Sequence, residues 1–212
     1  MSQLRVGSSG KKGGYVFTNI SHQRNLNGVK VAILVDNGFE QVEMTDPREA
    51  LDQSGAETKI ISPASGHVLG WKFTEWGDEF PIDVPLDQAG PQDYDALMLP
   101  GGVMNSDKLR KRQKSVDFAK SFFIDGKPVA ARCHRPLTII EAGEAKGRRM
   151  TSWPSLKTDL LNAGAGWLDK ALVSDGNLVT SRKPDDIPAF NEGMIELLAR
   201  ARRKDERAHQ IA

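Results

Sequence analysis

The sequence VKVAILV, residues 29–35, decides the fold, because it is short, apolar and rich in β-branched side chains, as is typical of a buried parallel strand. It runs into the turn sequence DNG at residues 36–38. A helix is predicted from there to Gln53, and Gly55 is expected to end it. The strand sequence ETKIIS follows at residues 57–62. This succession of strand, helix and strand predicts a parallel sheet.

The same alternation continues along the rest of the chain. Apolar runs of strand length are separated by amphipathic helices, and Gly or Pro marks most boundaries. The further predicted elements are a hairpin and loop (64–92), a strand (94–99) ending at PGG, a helix ending at Gly126, a strand (128–131) ending at Cys133, a helix from about 137, a hairpin turning at Asp175-Gly176 and a helix (187–203). Strands that alternate with helices predict an α/β protein with a mostly parallel sheet and helices on both faces.

The composition is that of an ordinary globular domain. The 212 residues are 39% hydrophobic and 27% charged, and the net charge of +1 makes nucleic acid an unlikely partner. A single cysteine allows no internal disulfide and favours a cytoplasmic location. We find no signal peptide and no run of about 18 apolar residues, so no membrane partner is expected.

The chain divides into an arm and a body. Residues 1–28 contain no acidic residue and are rich in Gly, Ser and Asn, which predicts a flexible basic arm. That arm either contacts a partner or is a solvated tail. Residues 29–212 are predicted to form one domain, which is long enough to bury its own core.

Cys133 is the first candidate for chemistry. Ligands of open α/β sheets bind beyond the carboxyl ends of the strands, and Cys133 follows such an end at a predicted sharp turn into a helix. The helix N-terminus favours a thiolate, and His134 could accept the thiol proton, so a lowered pKa is predicted for Cys133. The alternative is an inert cysteine that packs as a small buried hydrophobe.

Two other strand ends carry candidate residues. The backbone N–H groups of Gly101 and Gly102 could bind an oxyanion, although a plain tight turn would explain the pair as well. Glu40 and Glu43 follow the first strand, and either one, held protonated, could donate a hydrogen bond to the cysteine sulfur. The alternative is two solvated helix acids. Asp107 follows the glycines and could orient the histidine. The four histidines lack metal-ligand spacing, so no metal site is predicted.

Taken together, these strand ends resemble the ThiJ/PfpI superfamily, which contains PfpI-type intracellular proteases and general stress proteins. The resemblance covers about residues 29–200 and implies a flavodoxin-like three-layer sandwich without a cofactor. The motifs that carry it are DNGFEQVE (36–43), DALMLPGGVMN (95–105), Cys133-His134, TSWP (151–154) and TSRKP (180–184).

The resemblance also implies roles for individual residues. Cys133 would be the nucleophile, with His134 beside it, and Glu43 would be the acid that hydrogen-bonds the thiol. The oxyanion donors would be the backbone N–H groups of Gly102 and His134. Asp107 would complete the site of a neighbouring subunit, so a homo-oligomer is expected. Substrates would be peptides or adducts of methylglyoxal.

The chain departs from the family pattern around the cysteine, where Ala-Ile-Cys-His-Gly-Pro is usual and Ala131-Arg132-Cys133-His134-Arg135-Pro136 stands here. Arg132 replaces an apolar core residue, and an unpaired charge there would be costly. Arg135 replaces a glycine, where a side chain could block the cleft or strain the turn. The arginines either reshape the site, with Arg135 contributing to the substrate pocket, or abolish catalysis.

Three functions are therefore considered. The first is a cysteine-dependent hydrolase of the PfpI type, either a peptidase or a deglycase. The second is a non-catalytic sensor of oxidative stress in which Cys133 is oxidised to sulfinic acid beside Glu43. The third is a chaperone-like oligomer whose site is occluded by Arg135.

Overall fold

A computed structural model describes residues 25–211, and a seven-stranded sheet lies at its centre. The strands lie in the order β11-β12-β8-β7-β1-β3-β6, and every neighbouring pair is parallel except β11 with β12. The bounds are β1 Lys30–Leu34, β3 Glu57–Ser62, β6 Val84–Pro85, β7 Ala96–Leu99, β8 Val129–Arg132, β11 Leu172–Asp175 and β12 Leu178–Ser181. The mostly parallel sheet predicted from the sequence is confirmed.

Helices cover both faces of this sheet. Their bounds are α1 Val42–Gln53, α2 Val103–Arg110, α3 Gln113–Ile124, α4 Pro136–Glu141, α5 Lys157–Asn162 and α6 Ile187–Ile211, and short 3-10 turns lie at Pro91–Asp93, Pro154–Leu156 and Pro184–Asp186. The first helix ends where the sequence predicts, because Gly55 adopts a φ of +93° that ordinary side chains avoid. The last helix is longer than predicted, since no Pro or Gly follows residue 203 to end it.

The alternation of side chains along the strands creates two hydrophobic cores. Val31 and Ile33 of β1 point to one face, where α1 and α6 pack through residues such as Phe190. Ala32 and Leu34 point to the other face and meet the phenylalanines of α3. Burial on both faces explains why every residue of VKVAILV other than the exposed Lys30 is apolar. The result is a three-layer α/β sandwich.

Two small sheets complete the fold. Three strands, β2 Phe39–Glu40, β4 His67–Lys72 and β5 Glu75–Pro81, form one of them, in which β4 and β5 are the predicted hairpin. The other pairs β9 Arg149–Met150 with β10 Gly166–Trp167. The side chain of Gln41 fixes the hairpin over the start of α1, since it accepts from the Asp78 N–H and donates to the Asp78 carboxylate.

The folded body begins earlier than the sequence suggested. Residues 1–24 of the predicted arm lie outside the described residues. Leu26, which the sequence analysis had placed in that arm, is fully buried in the core, and its N–H donates to the carbonyl of Ser54. The boundary at residue 28 is therefore a few residues late, because one apolar side chain in a polar stretch gives no periodic signal. Within the described part of the chain, no helix is long and apolar enough to cross a membrane.

Candidate active site

The three candidate segments meet at one edge of the sheet. Strands β7 and β8 are neighbours, and β7 also pairs with β1, so all three carboxyl ends lie side by side. Glu43 enters from α1 just after the first strand, Gly101 and Gly102 end β7, and Cys133 ends β8. The sequence places these residues up to ninety positions apart, and the parallel topology brings them together.

Cys133 occupies a strained turn. Its φ is +56°, a left-handed conformation that few residues other than glycine adopt, and its N–H donates to the Ser181 carbonyl at 3.0 Å. Arg135, where a strained turn was considered, has an ordinary helical φ of −66°. The strain of the elbow therefore falls on the cysteine. Such strain is held by the surrounding structure and is common at functional sites.

His134 lies beside the thiol. Its Nδ1 is 3.2 Å from Cys133 Sγ, so a thiol can donate to Nδ1 when the ring proton is on Nε2. Burial lowers the pKa of His134, which keeps the imidazole neutral and able to accept a proton. The ring stacks on Trp153 at 5.8 Å, and the Trp153 N–H donates to the Cys133 carbonyl at 3.0 Å.

Trp153 is a site residue that sequence reasoning used only as a family marker. Its motif, TSWP, lies twenty residues after Cys133 and carries no chemical signature of its own. In the structure its ring is 38% exposed while its other face lies against the histidine. A partly exposed tryptophan stacked on a candidate base fixes the orientation of the imidazole.

Gly101 and Gly102 let the backbone approach the sulfur. A Cβ at Gly101 would overlap Glu43 Oε2 and lie 2.5 Å from the Cβ of Cys133. Gly102 has a φ of +96°, and a Cβ there would meet the backbone of β2 at 2.6 Å. The N–H groups of Gly102 and His134 both approach the Cys133 sulfur and favour its ionised form. This is the arrangement expected of a pair of oxyanion donors.

Glu43 is buried beside the sulfur. Burial raises the pKa of Glu43 to about 7, against the lowering effect of Arg132 and of contacts with the Cys133 thiol and the Gly101 N–H. Neither carboxyl oxygen has a well-formed hydrogen bond among the described residues. Glu40 lies farther out, where burial also raises its pKa and the Phe73 N–H opposes this. Of the two acids, Glu43 is the one whose carboxyl group contacts the Cys133 thiol, and the role that the family resemblance implies for it stays a prediction.

The predicted lowering of the Cys133 pKa is wrong. Burial raises the pKa of the thiol, the negative charge of Glu43 raises it further, and the Gly102 N–H, Arg132 and the His134 N–H only partly offset this. The side chain is 7% exposed. The helix whose N-terminus is expected to favour the thiolate, α4, has only six residues, so its dipole is small compared with the cost of desolvating a thiolate.

Arg132 has a partner that the sequence did not reveal. Its guanidinium is fully buried, with Nε 3.6 Å from Glu43 Oε1 and Nη2 donating to the Lys183 carbonyl at 2.7 Å. It also lies over the ring of Phe190, 5.1 Å from the centroid. Even so, Nε and Nη1 have no hydrogen-bond partner among the described residues. The charge is compensated, but its hydrogen bonding is incomplete.

Arg135 is buried rather than open to a cleft. None of its three guanidinium nitrogens has a hydrogen-bond partner in the described structure. Burial lowers the pKa of Arg135, and the carboxylate of Asp36, itself buried, opposes this. The side chain therefore faces the end of β1, and its predicted role in the substrate pocket stays a prediction.

Asp107 lies away from the histidine of its own chain. It is exposed on α2 and pairs with Arg110 at 3.0 Å. The family resemblance implies that this acid acts on His134 of a neighbouring subunit, and that role stays a prediction. Among the residues that the structure describes, no group of three or more His, Cys, Asp or Glu side chains is placed to hold a metal ion.

Comparison with known proteins places this site in a family. The model of the DJ-1/PfpI family matches residues 29–197. Deglycase PH1704 of Pyrococcus horikoshii is 39% identical over 170 residues, which are 80% of this chain and 99% of that protein. General stress protein 18 of Bacillus subtilis is 40% identical over 172 residues, 81% of this chain and 98% of that protein.

The fold comparison agrees. The crystal structure of Drosophila melanogaster DJ-1beta superposes with a TM-score of 0.73 at 26% identity and covers 87% of this chain and 98% of that one. Three strand ends that present a cysteine elbow, a double glycine and a buried glutamate thus occur in a chain that matches the family over most of its length. The chain belongs to the DJ-1/PfpI family.

Proposed function

We propose that this protein is a cysteine-dependent hydrolase that acts on methylglyoxal adducts as a deglycase, in the cytoplasm, as part of a stress response. The observation that carries the proposal is Cys133 Sγ at a strained elbow, 3.2 Å from Nδ1 of a neutral imidazole and approached by two backbone N–H groups. The names of the relatives, a deglycase and a general stress protein, support the substrate class and the setting.

The reaction follows from these positions. The hydroxyl group of the adduct gives its proton to the departing amine or thiol, which breaks the C–N or C–S bond and leaves the aldehyde of methylglyoxal in the site. The Cys133 thiol then gives its proton to His134 as the sulfur adds to the aldehyde carbon. A C–S bond forms, and the carbonyl electron pair becomes an oxyanion that the Gly102 and His134 N–H groups can receive.

The second stage needs no external oxidant. His134 or Glu43 carries a proton from the sulfur-bearing carbon to the neighbouring carbonyl carbon. The sulfur-bearing carbon thereby becomes the carbonyl carbon of a thioester, and the neighbouring carbonyl becomes an alcohol. Water then hydrolyses the thioester, which releases lactate and restores the thiol. With a peptide substrate, the same attack would expel an amine that takes its proton from His134.

The test is turnover of a defined adduct. Purified protein is incubated with methylglyoxal-modified N-acetylcysteine, and lactate and free N-acetylcysteine are measured. We expect lactate from the parent and none from Cys133→Ser, in which free N-acetylcysteine comes only from spontaneous dissociation of the adduct. A peptide substrate in parallel separates a deglycase from a peptidase. Absence of turnover of the adduct by the folded parent would refute the proposal.

Burial of Glu43 beside the sulfur also favours a second candidate, the oxidation sensor. A carboxyl group with a pKa raised to about 7 is partly protonated and can donate to a sulfinate oxygen. We expect peroxide to carry Glu43→Ala past sulfinic to sulfonic acid more readily than the parent, with Glu43→Gln between them. Intact-mass spectrometry after graded peroxide measures this, and equal oxidation in all three would exclude a role for Glu43.

A further inference from the structure

The family pattern has an apolar residue immediately before the cysteine, and here that position is a buried cation. Arg132 contributes nothing obvious to stability, because burying an ion pair costs more solvation than the pair usually returns. Four polar atoms of the Arg132–Glu43 pair lack hydrogen-bond partners in the described structure: Nε and Nη1 of the arginine and both carboxyl oxygens of the glutamate. An incompletely satisfied pair at the nucleophile calls for a functional explanation.

The charges around the sulfur can be counted. Glu43 and Cys133 together hold two, one or no protons, which gives the pair a charge of zero, minus one or minus two. Arg132 adds one positive charge, 3.6 Å from the carboxyl group. Because isolated charges are costly in a buried site, the arrangement closest to neutrality is favoured. With Arg132 present, that arrangement has a single proton on the pair.

We propose that Arg132 is a positioning residue of this site, whose guanidinium lets the Glu43–Cys133 pair carry one negative charge at neutral pH. The inference rests on the proposed role of Cys133 as the nucleophile. With one proton shared, moving it from sulfur to carboxylate creates the thiolate without creating a net charge. Without Arg132, the neutral pair of thiol and carboxylic acid would persist, and thiolate formation would leave a buried charge uncompensated.

The geometry holds Arg132 in place for this role. The hydrogen bond from Nη2 to the Lys183 carbonyl and the ring of Phe190 fix the guanidinium on the side of the sheet where α1 brings Glu43. Two acidic groups outside the pair also stabilise the charged form of Arg132. Asp46 of α1 and Asp186, at the turn before α6, both favour its charged form.

Two further groups bear on the pair itself. Glu40, on β2, raises the pKa of Glu43 through its own negative charge. His134 is kept neutral by burial and adds no charge near the sulfur. Among the described residues that influence the pair, Arg132 is the cation that lowers the pKa of both Glu43 and Cys133.

The test measures thiol ionisation directly and needs no substrate. Cys133 is the single cysteine of the chain, so thiolate ultraviolet absorbance and the rate of iodoacetamide alkylation report on it alone. Both are followed against pH for the parent, Arg132→Met, Arg132→Gln and Arg132→Lys. In Arg132→Met and Arg132→Gln we expect the pH of the inflection to rise by at least about one unit and the alkylation rate near neutral pH to fall at least tenfold. In Arg132→Lys the inflection should stay near that of the parent.

Arg148→Met is the matched control. Arg148 also lies over a phenylalanine ring, 4.9 Å from the centroid of Phe123, and pairs with Glu144 at 3.7 Å, but it is not one of the groups that shift the Cys133 pKa. It should leave the inflection unchanged. If Arg132→Met does not fold, the comparison of Arg132→Gln with Arg132→Lys decides the question. Equal inflection pH values in those two variants would show that Arg132 acts by packing, and the proposal would be overturned. A normal result here with no adduct turnover would instead refute only the proposed function.

Discussion

Substitution of Glu43 by Gln is expected to change how stability depends on pH. The pKa of Glu43 rises from 4.5 in an exposed chain to about 7 in the folded protein. The folded state therefore holds this proton more tightly than the unfolded state. Stability conferred by that proton is present below about pH 4.5 and is lost as the pH rises to about 7, because the unfolded chain then ionises without penalty.

The magnitude follows from the two pKa values. Each pKa unit is worth about 1.4 kcal/mol, so the parent should lose about 2.5 kcal/mol of unfolding free energy through this group between about pH 5 and about pH 8. Glu43→Gln carries no ionisable group at this position, so it should lose none of that unfolding free energy. In Glu43→Gln, Arg132 lacks a carboxylate at both pH values, and the attraction of Arg132 for the ionised carboxylate of the parent is already contained in the Glu43 pKa.

Urea unfolding of both proteins at the two pH values measures the effect, with equal m-values as the check on two-state behaviour. Glu49→Gln is the control, because Glu49 is an exposed acid on the same helix and should track the parent. Histidine titration is common to all three proteins and also cancels. A difference between parent and Glu43→Gln that changes by less than about 0.5 kcal/mol with pH would refute the burial argument.

Three further outcomes are expected. Asp107→Ala should lower turnover without lowering the unfolding temperature, and sedimentation should show at least a dimer; a monomer would exclude an acid supplied by a neighbour. Gly101→Ala should abolish activity because its Cβ has no space, whereas Gly166→Ala, where the nearest atoms are 3.9 Å away, should be active. Trp153→Ala should lower kcat several-fold with little loss of stability, because the ring is partly exposed yet stacks on His134; unchanged kcat would contradict that role.

The elements of the sheet could be predicted because each is a local signal. Residues 31–35 and 96–99 are continuous apolar runs, and Asp175-Gly176 turns the antiparallel pair β11 and β12. The meeting of the strand ends follows from parallel topology, which strands alternating with helices already imply. Hence Glu43, the two glycines and Cys133 could be brought together from the sequence with a family pattern as guide.

The electrostatics could not be predicted in this way. The Arg132 side chain meets Glu43, nearly ninety positions earlier, and Phe190, nearly sixty positions later, and no periodicity relates them. The sign of the Cys133 pKa change depends on how deeply the thiol is buried, which the position before a helix does not reveal. Local sequence determines which groups are near a strand end, but the packing of distant elements determines their charge.

The features that lower the stability of this fold are concentrated at the carboxyl end of β8. Cys133 holds a left-handed φ, while Arg132 and Arg135, on either side of it, are buried with incomplete hydrogen bonding. Two well-packed cores on opposite faces of the sheet can offset such costs. Arg132 lies beside the Glu43–Cys133 pair to which we assign the chemistry, whereas Asp36 is the carboxylate that favours the charged form of Arg135. Below about pH 7, where Glu43 can keep its proton and stay neutral, an apolar residue at position 132 should therefore cost little stability while it makes the cysteine less reactive, a separation of effects that a purely structural arginine would not produce.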